Sequence, residues 1–168
     1  MFCERASAIL NRLIVVLVLL FSLATVCSAQ RFNVKVVSIS DGDTFTGLNS
    51  DNLQIKIRIY GIDAPEKKQA FGNKSKECLS SYIFGKTVTV DVQSQDSWGR
   101  YIAYVYTPDG RDVSLLMLQE GMAWHFVKYD NTSRYSSAEI DARRLKKGLW
   151  SDKYPVAPWD FRASNKHK

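Results

Sequence analysis

Cysteine and histidine are scarce in this chain of 168 residues, which contains three cysteines and two histidines. Cys3 and Cys27 fall in an N-terminal segment with the pattern of a removable leader, so Cys78 alone would remain in the mature chain. A single cysteine forms no intramolecular disulfide, which excludes a disulfide-dense scaffold. The sequence has no Cys-x-x-Cys pair, and His125 and His167 show no spacing typical of a Ser-His-Asp set, which argues against acyl transfer.

The chain also lacks internal repeats, low-complexity stretches, a long linker and a glycine-rich nucleotide loop. Hydrophobic residues make up 45% of the chain and aromatic residues 12%, which is enough for a core and excludes disorder and a coiled coil. Residues 30–160 therefore indicate one domain, followed by a polar tail at 161–168.

One long apolar run stands near the N-terminus. Arg5 and Arg12 precede an uncharged stretch at 13–26, and the small residues Cys27 and Ala29 follow it. This layout predicts a signal peptide at 1–29 and a mature chain that starts at Gln30 and is secreted or periplasmic. A retained membrane anchor is the alternative, although the run is short for a membrane span.

Basic residues outnumber acidic ones, with 23 Lys plus Arg against 17 Asp plus Glu and a formal net charge of +6. An excess of positive charge favours a polyanionic partner, and both nucleic acid and an anionic lipid surface satisfy that condition. Charge thus fixes the sign of a partner and leaves its identity open.

Hydrophobic periodicity predicts five strands and three helices. The strands are expected from Phe32 to Ile39 with a bulge near Val37, from Thr44 to Thr46, from Leu53 to Ile59 with Arg58 on the polar face, from Val88 to Val92, and from Tyr101 to Tyr106. The helices are expected at 68–84 with Gly85 as a stop, from an Asp112 cap to Glu120, and through a stripe of Tyr135, Ala138, Ala142 and Leu145 that ends at Gly148. This order matches a mainly β, α+β fold with a five-stranded Greek-key barrel of the oligonucleotide-binding (OB) type, and a roll-like α+β sheet is the alternative.

Acidic and basic residues gather in three short motifs: Asp41-Gly42-Asp43-Thr44, the run from Arg58 to Glu66, and Asp96-Ser97-Trp98-Gly99-Arg100. Asp43, Asp63 and Glu66 stand at strand ends, where three hard oxygen donors can converge on a cation such as calcium. Arg58 and Arg100 accompany them. Carboxylates for a metal together with two guanidinium groups suit phosphodiester hydrolysis, because charge builds up on phosphate oxygens in the transition state.

These three ordered motifs resemble those of the thermonuclease (staphylococcal nuclease-like) family over nearly all of the mature chain, and the ending Gly148-Leu149-Trp150-Ser151 is similar to secreted bacterial members. The resemblance implies an OB barrel and calcium-dependent cleavage of DNA and RNA that leaves 3′-phosphate and 5′-hydroxyl ends. It also implies roles by position: Asp43 and Asp63 as calcium ligands with the Ala64 carbonyl, Asp41 as support for the bound water shell, Glu66 acting on the attacking water, and Arg58 and Arg100 on the scissile phosphate.

Two departures from the best-known member of that family concern residues that would bind the substrate. Only Lys67-Lys68-Gln69 stands between Glu66 and the first helix, where that member has a longer basic loop, and Ser97-Trp98 replaces a lysine and a tyrosine. Trp98 thus adds a stacking surface for the substrate. The resemblance implies that the segment with Lys128 and Tyr129 contacts a nucleotide base, so these two are also candidate substrate-binding residues, with Tyr129 favoured for base stacking. Trp124 and Phe126 are interpreted as core aromatics.

Two functions are compatible with a basic OB domain. The first is a nuclease, and the second is a non-catalytic nucleic-acid-binding module. Carboxylates on a phosphate-binding surface weaken binding, so a module without chemistry has no use for Asp43, Asp63 and Glu66. The sequence therefore favours the nuclease, acting on DNA or RNA.

Overall fold

A computed structural model describes residues 30–165 of the chain. The predicted signal peptide at 1–29 and the last three residues of the predicted tail, 166–168, lie outside the described residues. Among residues 30–165, no helix is both long and apolar enough to cross a membrane.

Five strands form a closed barrel in the order β1, β2, β3, β6, β5. Their bounds are β1 Gln30–Ile39, β2 Thr44–Leu48, β3 Gln54–Ile59, β5 Thr87–Gln95 and β6 Tyr101–Tyr106. β1 pairs antiparallel with both β2 and β5, and β3 pairs in parallel with β6, which closes the barrel. The predicted five-stranded OB-type barrel is confirmed, and the expected bulge lies between Val36 and Ser38.

Two further strands, β4 Ile62–Asp63 and β7 Trp124–His125, form a separate two-stranded sheet. Asp63 is paired with Trp124 in this sheet. The pairing ties the segment that follows β3 to a part of the chain some sixty residues later, and so fixes the position of the Asp63 backbone.

Within residues 30–165, four α-helices and one 3-10 helix accompany the strands: α1 Gly72–Ile83, α2 Val113–Gln119, α3 Ser133–Arg144, the 3-10 helix Gly148–Ser151, and α4 Pro158–Asn165. The prediction of three helices was therefore incomplete. α4 also replaces the first part of the predicted polar tail at 161–168, because Trp159 stacks on Phe126 with the ring centroids 5.4 Å apart and thereby docks the helix. Proline is well tolerated in the first turn of such a helix.

Helix ends differ from the predictions for local reasons. α1 begins at Gly72 instead of residue 68, because Phe71 adopts a left-handed conformation with φ 66° after a turn in which Gln69 N–H donates to Glu66 O. Asp112 caps α2 as predicted and accepts from Leu115 N. Leu145 follows the end of α3 and is exposed, so its predicted burial was wrong, whereas Tyr135, Ala138 and Ala142 are buried.

The hydrophobic core fills the barrel and continues under the helices. Its buried members include Phe45, Ile57, Ile59, Val88 and Val105 from the strands, with Leu79 and Ile83 from α1 and Met117 and Leu118 from α2. Leu53 was predicted to share the buried face of β3, but it precedes the strand and is exposed. Outside this core, the polar side of the β2–β3 region carries the candidate site.

Candidate active site

Asp43 lies in the turn between β1 and β2 and is almost fully buried. Gly42 allows the turn to pack against α1, since a Cβ there would stand 1.8 Å from Ser75 Oγ. Ala64 N–H donates to Asp43 Oδ2 at 2.8 Å, and Asp43 N–H donates to Asp41 Oδ1 at 3.1 Å. Two predicted roles remain predictions: calcium coordination by the Ala64 carbonyl, and support of the bound water shell by Asp41.

Burial is the main influence on the Asp43 carboxyl and raises its pKa to about 7, with Asp41 and Asp63 adding to the effect and Arg58 opposing it. The raised pKa reflects mainly the loss of solvation of the buried carboxyl, which Arg58 offsets only in part. A cation bound beside Asp43 would favour its carboxylate form.

Arg58 bridges the two predicted calcium ligands. Its Nη1 donates to Asp43 Oδ1 at 2.8 Å and its Nη2 donates to Asp63 Oδ1 at 2.7 Å. The side chain is 19% exposed, so Arg58 lies off the hydrophobic core as predicted but is held in a largely buried ion pair and is not freely solvated. Burial alone would lower the pKa of Arg58, and the two carboxylates outweigh it and raise the pKa.

Glu66 follows β4 and Pro65, and its side chain is 38% exposed. Its Oε1 accepts from Arg162 Nη1 at 2.8 Å, and the same arginine donates from Nη2 to Asp63 Oδ2 at 2.7 Å. Glu66 and Arg58 line one cleft, but Glu66 accepts its hydrogen bond from Arg162 on α4.

Arg100 is held by the turn that joins β5 to β6. Asp96 accepts from Arg100 Nε at 2.7 Å and from its backbone N–H at 3.0 Å, and Gly99 takes a positive φ of 77° to close the turn. The Arg100 guanidinium carbon lies 5.3 Å from the centre of the Trp98 ring. The turn therefore fixes the arginine while it presents the indole of Trp98, which is 80% exposed.

One cleft of about 520 Å³ joins these elements. Its lining includes Arg58, Glu66, Arg100, Arg162, Trp98 and Tyr129. The structure thus brings together the three predicted catalytic side chains and two of the three predicted substrate-binding residues. The third, Lys128, lies beside the cleft with its Nζ 5.5 Å from the Tyr129 ring centre.

Buried polar groups hold the segment 126–132 that carries Tyr129. Asp130 accepts from Tyr104 Oη at 2.9 Å and from Thr132 N–H at 2.8 Å, and its Oδ1 lies 3.1 Å from His125 Nε2. Burial alone would raise the pKa of Asp130, but these hydrogen bonds outweigh it and lower the pKa. No local pattern in the sequence predicted this network.

His125 Nδ1 also lies 3.1 Å from Ser136 Oγ. Ser136, His125 and Asp130 therefore form a line of hydrogen-bonded side chains, which the spacing of the histidines in the sequence did not indicate. His125 is only 3% exposed and packs edge-on against Tyr135. A substrate has no access to the imidazole, and we interpret the line as structural.

The donor set of the site suits a hard cation. Among residues 30–165, no three His, Cys, Asp or Glu side chains are grouped so as to hold a metal ion by themselves. Asp43 and Asp63 offer two buried carboxylates that share Arg58. Two carboxylates completed by a carbonyl, water and substrate oxygens fit calcium, whereas zinc prefers nitrogen and sulfur ligands.

Arg162 is the main site residue that sequence reasoning missed, since it falls in the segment predicted to be a polar tail. Its contacts with Asp63 and Glu66 span 99 and 96 positions. The aromatic residues Trp159 and Phe161 beside it were the available signal, because such residues seldom occur together in a loose tail.

The fold and site define a barrel protein with a cleft that joins arginines to buried carboxylates. Comparison with known proteins agrees: the family described as "Staphylococcal nuclease homologue" matches residues 56–152. This chain belongs to that family.

Several named relatives cover most of this chain. A protein of Haemophilus influenzae named "Uncharacterized endonuclease" is 39% identical over 150 residues, which cover 89% of this chain and 84% of the relative. An Escherichia coli O157:H7 protein with the same name is 37% identical over 153 residues, covering 91% and 98%. The rice protein "Probable staphylococcal-like nuclease CAN2" is 33% identical over 144 residues, which cover 86% of this chain and 37% of that protein.

Proposed function

We propose that this protein is a calcium-dependent nuclease that hydrolyses phosphodiester bonds of DNA or RNA and leaves 3′-phosphate and 5′-hydroxyl ends. The observation that carries the proposal is the convergence of Arg58, Arg100 and Glu66 on one cleft beside the buried Asp43–Asp63 pair. Membership of the staphylococcal nuclease family and the endonuclease names of its relatives support it.

The two arginines would bind the phosphate at the bond that is cleaved. Arg58 reaches the cleft from β3 and Arg100 from the β5–β6 turn, so they approach one phosphate from different elements. Guanidinium groups form paired hydrogen bonds with phosphate oxygens, and preorganised donors stabilise the charge that develops there. Asp96 orients Arg100 through the hydrogen bond that it accepts from Arg100 Nε.

Glu66 would accept a proton from the water that attacks phosphorus, while the bond from phosphorus to the 5′-oxygen breaks and that oxygen takes up a proton from solvent water. A carboxylate at the edge of the cleft is suited to this role because it is partly exposed. Calcium held by Asp43 and Asp63 would supply charge stabilisation at the phosphate and orientation of the water. Trp98 and Tyr129, both largely exposed on the cleft, would stack on flanking bases.

Export is a separate part of the proposal. The apolar run at 13–26 between basic residues and small residues supports removal of a signal peptide before Gln30, and hence a secreted or periplasmic nuclease.

A plasmid-degradation assay tests the activity. The purified protein should degrade plasmid DNA and single-stranded RNA when calcium is added, and should stop when calcium is chelated. End-labelling of the products should reveal 5′-hydroxyl groups. Retardation of DNA in a gel without any cleavage, at any calcium concentration, would identify the non-catalytic binding module instead.

A further inference from the structure

The guanidinium of Arg162 on α4 forms hydrogen bonds with Asp63 and Glu66, two carboxylates that the proposed reaction uses. Arg162 donates to both oxygens of Asp63, from Nη2 to Oδ2 at 2.7 Å and from Nη1 to Oδ1 at 3.2 Å. The same Nη1 donates to Glu66 Oε1 at 2.8 Å. Arg162 therefore stands between the proposed ligand Asp63 and the proposed base Glu66.

α4 is also docked by apolar contacts that do not involve Arg162. Trp159 stacks on Phe126 with an interplanar angle of 7° and meets Trp124 edge-on at 5.5 Å, while Ala157 and Pro158 are buried. Apolar packing of this kind holds the helix without the guanidinium. The ion pairs of Arg162 thus serve the carboxylates more than the helix.

The side chain of Arg162 also lies next to an open groove into which it could rotate. It is 38% exposed, in contrast to Asp63, which is fully buried. A groove of about 390 Å³ opens beside it, lined by Glu66, Lys67, Lys68, Phe161, Arg162 and Asn165. The guanidinium can leave the carboxylates through a rotation of its own side chain while α4 remains docked.

We propose that Arg162 is a positioning residue that acts as an internal counter-cation for Asp63 and Glu66 and is exchanged for calcium when the metal binds. The inference rests on the proposed function. A guanidinium and a divalent cation need the same carboxylate lone pairs, so binding of one opposes binding of the other. In the metal-free protein the buried Asp63 stays neutralised and Glu66 is engaged, and Glu66 becomes free to accept a proton when Arg162 leaves.

Calcium affinity, measured by titration calorimetry on the purified protein, tests the exchange. Arg162→Gln removes the competing cation and should tighten calcium binding by about tenfold or more, in the usual range of coupling between two sites. Arg162→Lys keeps a point charge without the fork and should give an intermediate affinity. Lys67→Gln is the matched control, because it removes an exposed charge next to Glu66 and should change the affinity by less than about threefold.

Heat unfolding supplies the second measurement. With calcium chelated, Arg162→Gln should unfold at a lower temperature than the parent, since Asp63 loses one of its two arginine partners. Added calcium should then raise the unfolding temperature of this variant by more than it raises that of the parent.

The outcomes distinguish a failure of the proposed exchange from a failure of the proposed calcium dependence. If the parent binds calcium and folded Arg162→Gln binds it with equal or lower affinity, the exchange is wrong and the proposed calcium dependence stands. An equal gain in Lys67→Gln would show a general charge effect and also overturn the exchange. If neither the parent nor any variant binds calcium, both the cofactor and the exchange are wrong.

Discussion

Arg58 and Arg100 are proposed to hold the same phosphate, yet the residues around them differ. Arg58 neutralises two buried aspartates, whereas Arg100 is anchored to a surface turn through Asp96. Arg58→Lys and Arg100→Lys should both lower kcat by roughly a hundredfold or more, because an ammonium cannot form the paired contact to a phosphate.

Only Arg58→Lys should also lower stability, by roughly 1.5 to 3 kcal/mol, which is typical of a lost hydrogen bond to a charged group. A residue on the polar face of a strand usually contributes little to folding, but the two buried aspartates that Arg58 contacts lead to the opposite expectation for this arginine. Turnover on DNA and chemical unfolding of both variants check this pair of results. Equal turnover of parent and variants would show that the arginines do not bind the substrate.

Glu66 and Asp43 are expected to fail in different ways. Glu66→Gln keeps the size of the side chain and removes the proton acceptor, so turnover should fall at least a hundredfold while calcium still binds. Asp43→Asn removes a charged ligand, so calcium affinity itself should fall. Calorimetry and turnover measured side by side separate the roles, and Glu66→Gln that cleaves at the parent rate in saturating calcium would contradict the proposed base.

Among the elements, the segment 126–132 between β7 and α3 depends on one buried carboxylate, Asp130. Asp130→Asn should destabilise the protein by roughly 1 to 3 kcal/mol, because an amide nitrogen cannot accept the bonds that Tyr104 and Thr132 donate. Tyr129 should then be held less firmly, so KM should rise more than kcat falls. Kinetics on a short oligonucleotide and unfolding at pH 7 provide the measurements.

The same variant has a defined pH dependence. The folded pKa of Asp130 lies below its ordinary value of 3.8, so its carboxylate stabilises the fold above that pH, and the stabilisation is lost as pH falls through the lowered pKa. The difference in stability between the parent and Asp130→Asn should therefore be full near pH 7 and should shrink below about pH 4. A difference that stays constant from pH 7 to pH 3 would show that Asp130 acts through packing alone.

Elements with local signals were predictable from the sequence. Alternation in β1 and β3, the Asp112 cap and the Glu139–Arg143 pair all have causes within a few residues, and the structure contains each of them. α4 has only eight residues, so its own sequence carried little helical periodicity. Aromatic contacts with β7 and the segment after it stabilise this helix.

The residues of the site also divide into those that a local sequence pattern predicts and those that it does not. Its motifs gave Asp43, Arg58, Asp63, Glu66 and Arg100 because each lies next to a turn or strand end that the sequence marks. Arg162 and Asp130 reach the site or its supporting loop through the tertiary fold, and no short-range pattern points to such contacts.

For the molecule as a whole, the position of the proposed cleavage can be judged against the barrel. β1 begins at Gln30, and Gln30 is already paired with Val92 of β5. Cleavage before Gln30 would therefore retain every barrel pairing that is made within residues 30–165. The exported protein should have the mass of a chain that starts at or very near Gln30.

Intact-mass analysis of exported protein measures this directly, and a chain expressed from Gln30 without residues 1–29 is the control. That chain should unfold at the same temperature as the exported form and cleave DNA at the same rate, because barrel, cleft and α4 all lie within residues 30–165. Export with residues 1–29 retained would instead indicate the membrane anchor, which the short apolar run at 13–26 makes the poorer interpretation.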